Sequence, residues 1–137
     1  MVTIYIVGDS EGMRGMISDG LIGLDCAVVA EADNVDAVNG YKQFTPDITF
    51  LDLALPGMKE MQILKMIKKV NPDAYVVCYD STNNKKAALD AMMSGARYVV
   101  PIIIKLEGGR LMSNREGIRG DMIEVLNDFN KNKGETK

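Results

Sequence analysis

Two hydrophobic rhythms alternate along the chain. Short, near-continuous apolar runs lie at 2–7 (VTIYIV), 26–32 (CAVVAEA), 47–53 (DITFLDL), 74–79 (AYVVCY) and 97–104 (RYVVPIII). They are rich in β-branched and aromatic residues, which suits parallel strands covered on both faces. Between them apolar positions recur three and four apart, as on one face of a helix. Ser10 or Asp9 can cap the first helix, which carries Met13, Met16, Ile17 and Leu21. Asn34 can cap a second, with Val35, Val38 and Tyr41 as its apolar positions. A third stripe, Met58, Met61, Ile63, Leu64 and Ile67, is stopped by Asn71-Pro72-Asp73. Asn83 or Asn84 opens a fourth through Leu89, Met92 and Met93, and Gly95 fits its C-terminal cap. Ile118, Met122, Val125, Leu126 and Phe129 give a fifth, after a Gly-rich connection at 107–117.

Five β–α units with parallel strands predict an α/β domain with right-handed crossovers and helices on both faces of one sheet. The doubly wound five-stranded order is 2-1-3-4-5, and its functional crevice lies at the carboxyl ends of strands 1 and 3. That order sets Asp9, ending strand 1, beside Asp52, ending strand 3, with Asp80 just past strand 4. A buried unpaired carboxylate is costly. Asp52 is therefore at an exposed strand tip, paired, or kept for chemistry.

Composition narrows the chemistry more than the fold. At 137 residues the chain suits one domain, expected over residues 1–130, with 131–137 (KNKGETK) as a flexible tail. A net charge of -3 gives no reason to expect nucleic acid or an anionic membrane as a partner. No apolar segment reaches the roughly 18 residues of a membrane span, and MVTIYIVGD lacks a signal peptide's basic leader, so the expectation is a cytoplasmic protein. Cys26 and Cys78 each sit in a strand-like run and read as buried free thiols. The methionines fall mostly on the helical stripes and read as core filling. The absence of histidine says more. It removes serine–histidine triads, histidine metal ligands and phosphohistidine carriers together.

Three segments resemble one family. IVGDSEGMR resembles the strand-1 motif of the receiver domain of two-component response regulators, a flavodoxin-like fold. DLALPGM is similar to that family's phosphoacceptor motif, and ALDAMMSGARYVV resembles its helix 4–strand 5 segment. The likeness runs from residue 2 to about 104. It implies a stand-alone, response-regulator receiver-like signalling domain of a phosphorelay, with a histidine kinase or phosphotransfer protein as partner. It implies no enzyme beyond self-phosphorylation. In that chemistry a carboxylate attacks the phosphoryl group of a phosphohistidine, acidic groups hold Mg²⁺, and a lysine and a hydroxyl bind the phosphoryl oxygens. By resemblance Asp52 is the candidate phosphoacceptor and a metal ligand, Asp9 ligates the metal directly, and Arg14 falls at a variable basic position.

Three departures weaken that chemistry. Gly8 stands where the first member of the acidic pair belongs. Asp80 falls at the switch-hydroxyl position, where its charge would repel a phosphoryl group, and a one-residue slip would offer Ser81 instead. Val100, Pro101 or Ile102 stands at the family's lysine position, with Lys105 the nearest amine. The resulting expectation is a degenerate receiver acting through protein–protein interaction, with weak or no phosphorylation at Asp52. Asp80 adds back the charge that Gly8 removes, so Asp9 and Asp52, with or without Asp80, could still hold a hard cation, Mg²⁺ only weakly. Tyr98 falls near the family's strand-5 switch aromatic, and VVPIII can feed a homodimer through helix 4, strand 5 and helix 5. The alternatives are a functional Mg²⁺-dependent phosphoacceptor, and a flavodoxin-like small-ligand binder in which the amides of GDSEGMRG cradle a phosphate. A paired-carboxylate hydrolase has no visible partner base.

Overall fold

The computed structural model describes residues 1–33, 35–53, 59–82, 84–102, 104–107, 110–113 and 115–135. Along them the chain runs β1 (Val2–Val7), α1 (Glu11–Leu21), β2 (Cys26–Ala32), α2 (Ala37–Phe44), β3 (Ile48–Asp52), α3 (Lys59–Val70), β4 (Tyr75–Asp80), α4 (Lys85–Met93), β5 (Tyr98–Pro101), β6 (Ile104–Glu107), β7 (Arg110–Ser113) and α5 (Arg115–Glu135). The first five strands form a parallel sheet in the order β2-β1-β3-β4-β5. This is the expected doubly wound arrangement.

Each face of the sheet has its own core. On one, Ile4, Ile6, Phe50 and Val77 pack with Met13 and Ile17 of α1 and Ile118 and Met122 of α5. On the other, Val7, Leu51, Val76 and Cys78 pack with Tyr41 of α2, Leu64 and Ile67 of α3 and Ala91 of α4. The central strands β1, β3 and β4 are covered on both sides, so their sequences are apolar without alternation. β5 is an edge, and an edge tolerates the missing N–H of Pro101.

Local chemistry sets the helix starts. Ser10 accepts from the Met13 amide at 3.2 Å and Asn84 from the Ala87 amide at 3.1 Å, so both caps are side-chain caps. α2 begins later than the spacing suggests. Asp33 Oδ1 accepts from the amides of Val35 and Asp36, and this turn holds the chain out of the helix until Ala37. The predicted cap Asn34, and Met58 and Asn83, lie outside the described residues.

Two expectations change near the C-terminus. β5 stops at Pro101, and β6 and β7 pair antiparallel where a Gly-rich connection was expected. α5 runs through Glu135, past residue 130 where composition suggests that the folded domain ends. α5 is tied to the sheet by Asp128, which accepts from Tyr75 Oη at 2.5 Å and from Arg97 Nε and Nη2 at 3.0 and 3.2 Å. The Tyr75 ring also meets Phe129 edge-on at 5.4 Å between centroids. The Arg97 guanidinium first, then the Tyr75 hydroxyl, holds the Asp128 carboxyl below its usual 3.8. A carboxyl depressed in the folded state stabilises above its unfolded pKa and stops doing so as pH falls through the folded one. Urea unfolding is therefore expected to lose stability below pH 3.8, and Asp128→Asn to lose less over that interval.

One polar atom sits badly in the core. Thr49 is fully buried, and its Oγ1 has no hydrogen-bond partner among the described residues. An unsatisfied buried hydroxyl costs on the order of 1–3 kcal/mol. Thr49→Val keeps the shape and the β-branch, and is expected to raise the unfolding free energy, measured by urea denaturation, by about 1 kcal/mol. Cys26 and Cys78 are both free thiols. Cys78 is wholly buried, and burial, then the nearby Asp52 charge, pushes its thiol up to about 12. Cys26 is only half-buried, less covered than its run suggests.

Candidate functional site

The strand registers build the site. Val7 pairs with Leu51 and Asp52 with Tyr79, so Gly8, Asp52 and Tyr79 lie abreast at the carboxyl ends of β1, β3 and β4. They face the side of the sheet covered by α1 and α5. Asp52 is 2% exposed, so it ends β3 beneath the surface and not at an open tip. Asp9, one residue beyond Gly8, is exposed and borders a groove of about 440 Å³ with Val38 and Lys42 of α2 and Ile63 and Met66 of α3.

Tyr79 is fully buried, and its hydroxyl donates to the Val7 carbonyl at 3.0 Å. Burial, then the charge of Asp52, pushes the phenol well above its usual 10, while Arg14 pulls weakly the other way. The phenol is a neutral donor at any ordinary pH. Arg14 reaches in from α1, donating from Nη1 to the Gly8 carbonyl and from Nε to Glu31 Oε1 at 3.3 Å. The variable basic position thus braces the end of β1 against β2.

Asp80 is turned away from this group. Its Oδ1 accepts from the Thr82 amide at 2.8 Å and the Thr82 hydroxyl at 2.6 Å, and its Oδ2 from the Asn84 amide at 3.1 Å. It therefore ties the β4–α4 loop, and the hydroxyl beside it belongs to Thr82, not to Ser81. Pro101 is the residue in register with Asp80, and Ile102 behind it is buried. Lys105 lies on β6, in the separate two-stranded sheet. Tyr98 is exposed on β5, with the Arg97 guanidinium 5.9 Å from its ring centroid.

A divalent cation at this site would meet a poor donor set. Gly8 supplies no carboxylate and both oxygens of Asp80 are engaged by their own loop. Among the described residues no three His, Cys, Asp or Glu side chains are grouped for a metal ion. Among the described residues Asp80 is thus not grouped with Asp9 and Asp52. Sequence reasoning also passed over Tyr79, as one more apolar residue of β4. Its signal was a glycine at position 8, level with a large side chain two strands away across β3.

Residues 4–105 match the response regulator receiver domain family. The chain belongs to that family. Chemotaxis protein CheY of Bacillus subtilis is 36% identical over 95 residues, covering 69% of this chain and 79% of that protein. Among solved structures, the response regulator domain of Thermotoga maritima CheB superposes with a TM-score of 0.75 at 24% identity, over 95% of this chain and 97% of that one. A chain of the CheX-CheY-BeF₃-Mg²⁺ complex from Borrelia burgdorferi gives 0.70 at 19% identity, over 91% and 86%. Receiver domains are signalling domains of two-component systems, and this receiver shares their sheet order. Among its described residues no helix is long and apolar enough to cross a membrane.

Proposed function

We propose that this receiver domain signals through protein–protein contacts, with weak or no phosphorylation at Asp52. The observation that carries the reading is the register of β4 with β5. Pro101 stands abreast of Asp80 with Val100 and Ile102 on either side, so none of the three residues that can fall at the family's lysine position carries a charge. A pre-placed cation beside a dianionic phosphoryl group is worth a few kcal/mol of transition-state stabilisation, roughly two decades in rate or more. Asp80, at the position the resemblance gives to the family's hydroxyl, has no proton to offer a phosphoryl oxygen and is engaged by its own loop. Mg²⁺ binding through Asp9 and Asp52 is weak on this reading, with one carboxylate fewer than the family's pattern.

The partner is a protein, a histidine kinase or phosphotransfer protein of the same relay. Exposed apolar side chains on α4 (Leu89, Met93), on β5 (Tyr98) and on α5 (Ile123) support a contact face there, including one between two copies of the chain. The second reading, a working phosphoacceptor, draws support from Asp52 at the end of β3 and from the fold shared with the BeF₃-Mg²⁺-bound CheY complex. Incubation with acetyl phosphate and Mg²⁺, read by intact mass, separates them. The expected result is no adduct. A phosphoryl adduct that disappears in Asp52→Asn would establish the second reading.

A further inference from the structure

We infer that the Tyr79 hydroxyl occupies the place of the missing acidic side chain at position 8 and thereby keeps a cation away from Asp52. This rests on the receiver reading above and names what replaced its lost carboxylate. A Cβ built on Gly8 would lie 2.5 Å from Tyr79 Oη, 3.0 Å from Asp52 Cβ and 3.3 Å from Asp52 Oδ2. Carbon and oxygen in van der Waals contact sit well over 3 Å apart, so the first distance is a collision. The hydroxyl has no easy retreat. Its ring is fully buried in the core beneath α1 and α5, and the oxygen is tied to the Val7 carbonyl at 3.0 Å. A side chain at position 8 and a tyrosine at 79 therefore exclude each other.

The exchange has an electrostatic consequence. An acid at position 8 would point toward Asp52 Oδ2, and two carboxylates so close repel unless a cation neutralises them. A phenol in the same volume is neutral, and its one proton is spent on Val7. Hard divalent cations select anionic and carbonyl oxygens, so this substitution removes both a ligand and the charge that would draw the ion in. Tyr79 thus requires a glycine at position 8.

Two sets of variants test this. In the first, Gly8→Ala is made in the natural protein and in the Tyr79→Phe background, and thermal unfolding is recorded. Gly8→Ala is expected to lower Tm by on the order of 5 °C in the natural protein. In the Tyr79→Phe background, where the colliding oxygen is gone, the loss is expected to be less than half as large. Equal losses in the two backgrounds would overturn the exclusion. In the second set, amide shifts of Asp9 and Asp52 are followed by NMR during titration with MgCl₂. Gly8→Asp combined with Tyr79→Val is expected to bind Mg²⁺ at least about tenfold more tightly than the natural protein. Equal affinity would overturn the claim that Tyr79 keeps the cation out. Neither set uses a phosphoryl donor. A natural protein that takes phosphate on Asp52 while the stability losses remain coupled sinks the functional reading and leaves the Tyr79–Gly8 exclusion standing. Additive losses in a protein that takes no phosphate do the reverse.

Discussion

Tyr79→Ala is expected to lower the unfolding free energy by about 3–5 kcal/mol, measured by urea denaturation. Two contributions add in the same direction. The ring is fully buried in one cluster with Phe50, Val77, Val100 and Ile102, so its removal opens a cavity in the core under α1 and α5. The hydroxyl bond to Val7 is lost, and the carbonyl at the end of β1 is left without its donor. Tyr79→Phe separates the first contribution from the second and is expected to cost only about 1 kcal/mol. If the two substitutions cost the same, the hydroxyl and not the ring carries the stability, and the packing account of this site is wrong.

Gly40→Ala is the second large effect, and its sign is the informative part. In a helix interior, alanine normally exceeds glycine by about 0.5–1 kcal/mol. Gly40 lies inside α2, yet the phenol of Tyr5 from β1 reaches under it and donates to the Ala37 carbonyl at 2.8 Å. A Cβ at 40 would collide with Tyr5 Oη and lie 2.9 Å from Tyr5 Cζ. Tyr5 is fully buried and cannot swing aside cheaply. The expected outcome is a loss of about 2–3 kcal/mol. Gly15 in α1 is the control, since nothing lies within 4 Å of its Cβ position. Gly15→Ala is expected to follow the ordinary rule and gain about 0.5–1 kcal/mol. A gain at both positions would mean that Tyr5 does not brace α2.

Period and spacing carried most of this fold. Continuous apolar runs marked β1, β3 and β4 because both faces of those strands are covered, and the three-and-four spacing marked α1, α3 and α5. The hairpin of β6 and β7 was missed although its signal is local. Ile104–Glu107 and Arg110–Ser113 flank Gly108-Gly109, a two-residue spacing that hairpins favour. The apolar run before it, VVPIII, drew both sides of Pro101 into one strand. At the site, the resemblance pointed to Asp52 and Asp9 and to departures at position 8 and at the lysine position. It gave no view of side-chain direction. That Asp80 turns to Thr82 and Asn84 depends on a loop hydrogen-bond pattern, and that Tyr79 fills the space over Gly8 depends on register across two strand pairs. Neither is a property of a local window of sequence.

The central claim is that Asp52 sits in a site unfit for phosphoryl transfer. Beryllofluoride with Mg²⁺ tests it most directly, because a tetrahedral phosphoryl mimic reads the donor set without waiting for turnover or surviving hydrolysis. The measurement is the ¹H–¹⁵N NMR spectrum of the natural chain in Mg²⁺, before and after beryllofluoride is added. The amides of Gly8, Asp9, Asp52 and Asp80 are expected to stay where they are. Saturable shifts at those amides, absent in Asp52→Asn, would contradict it.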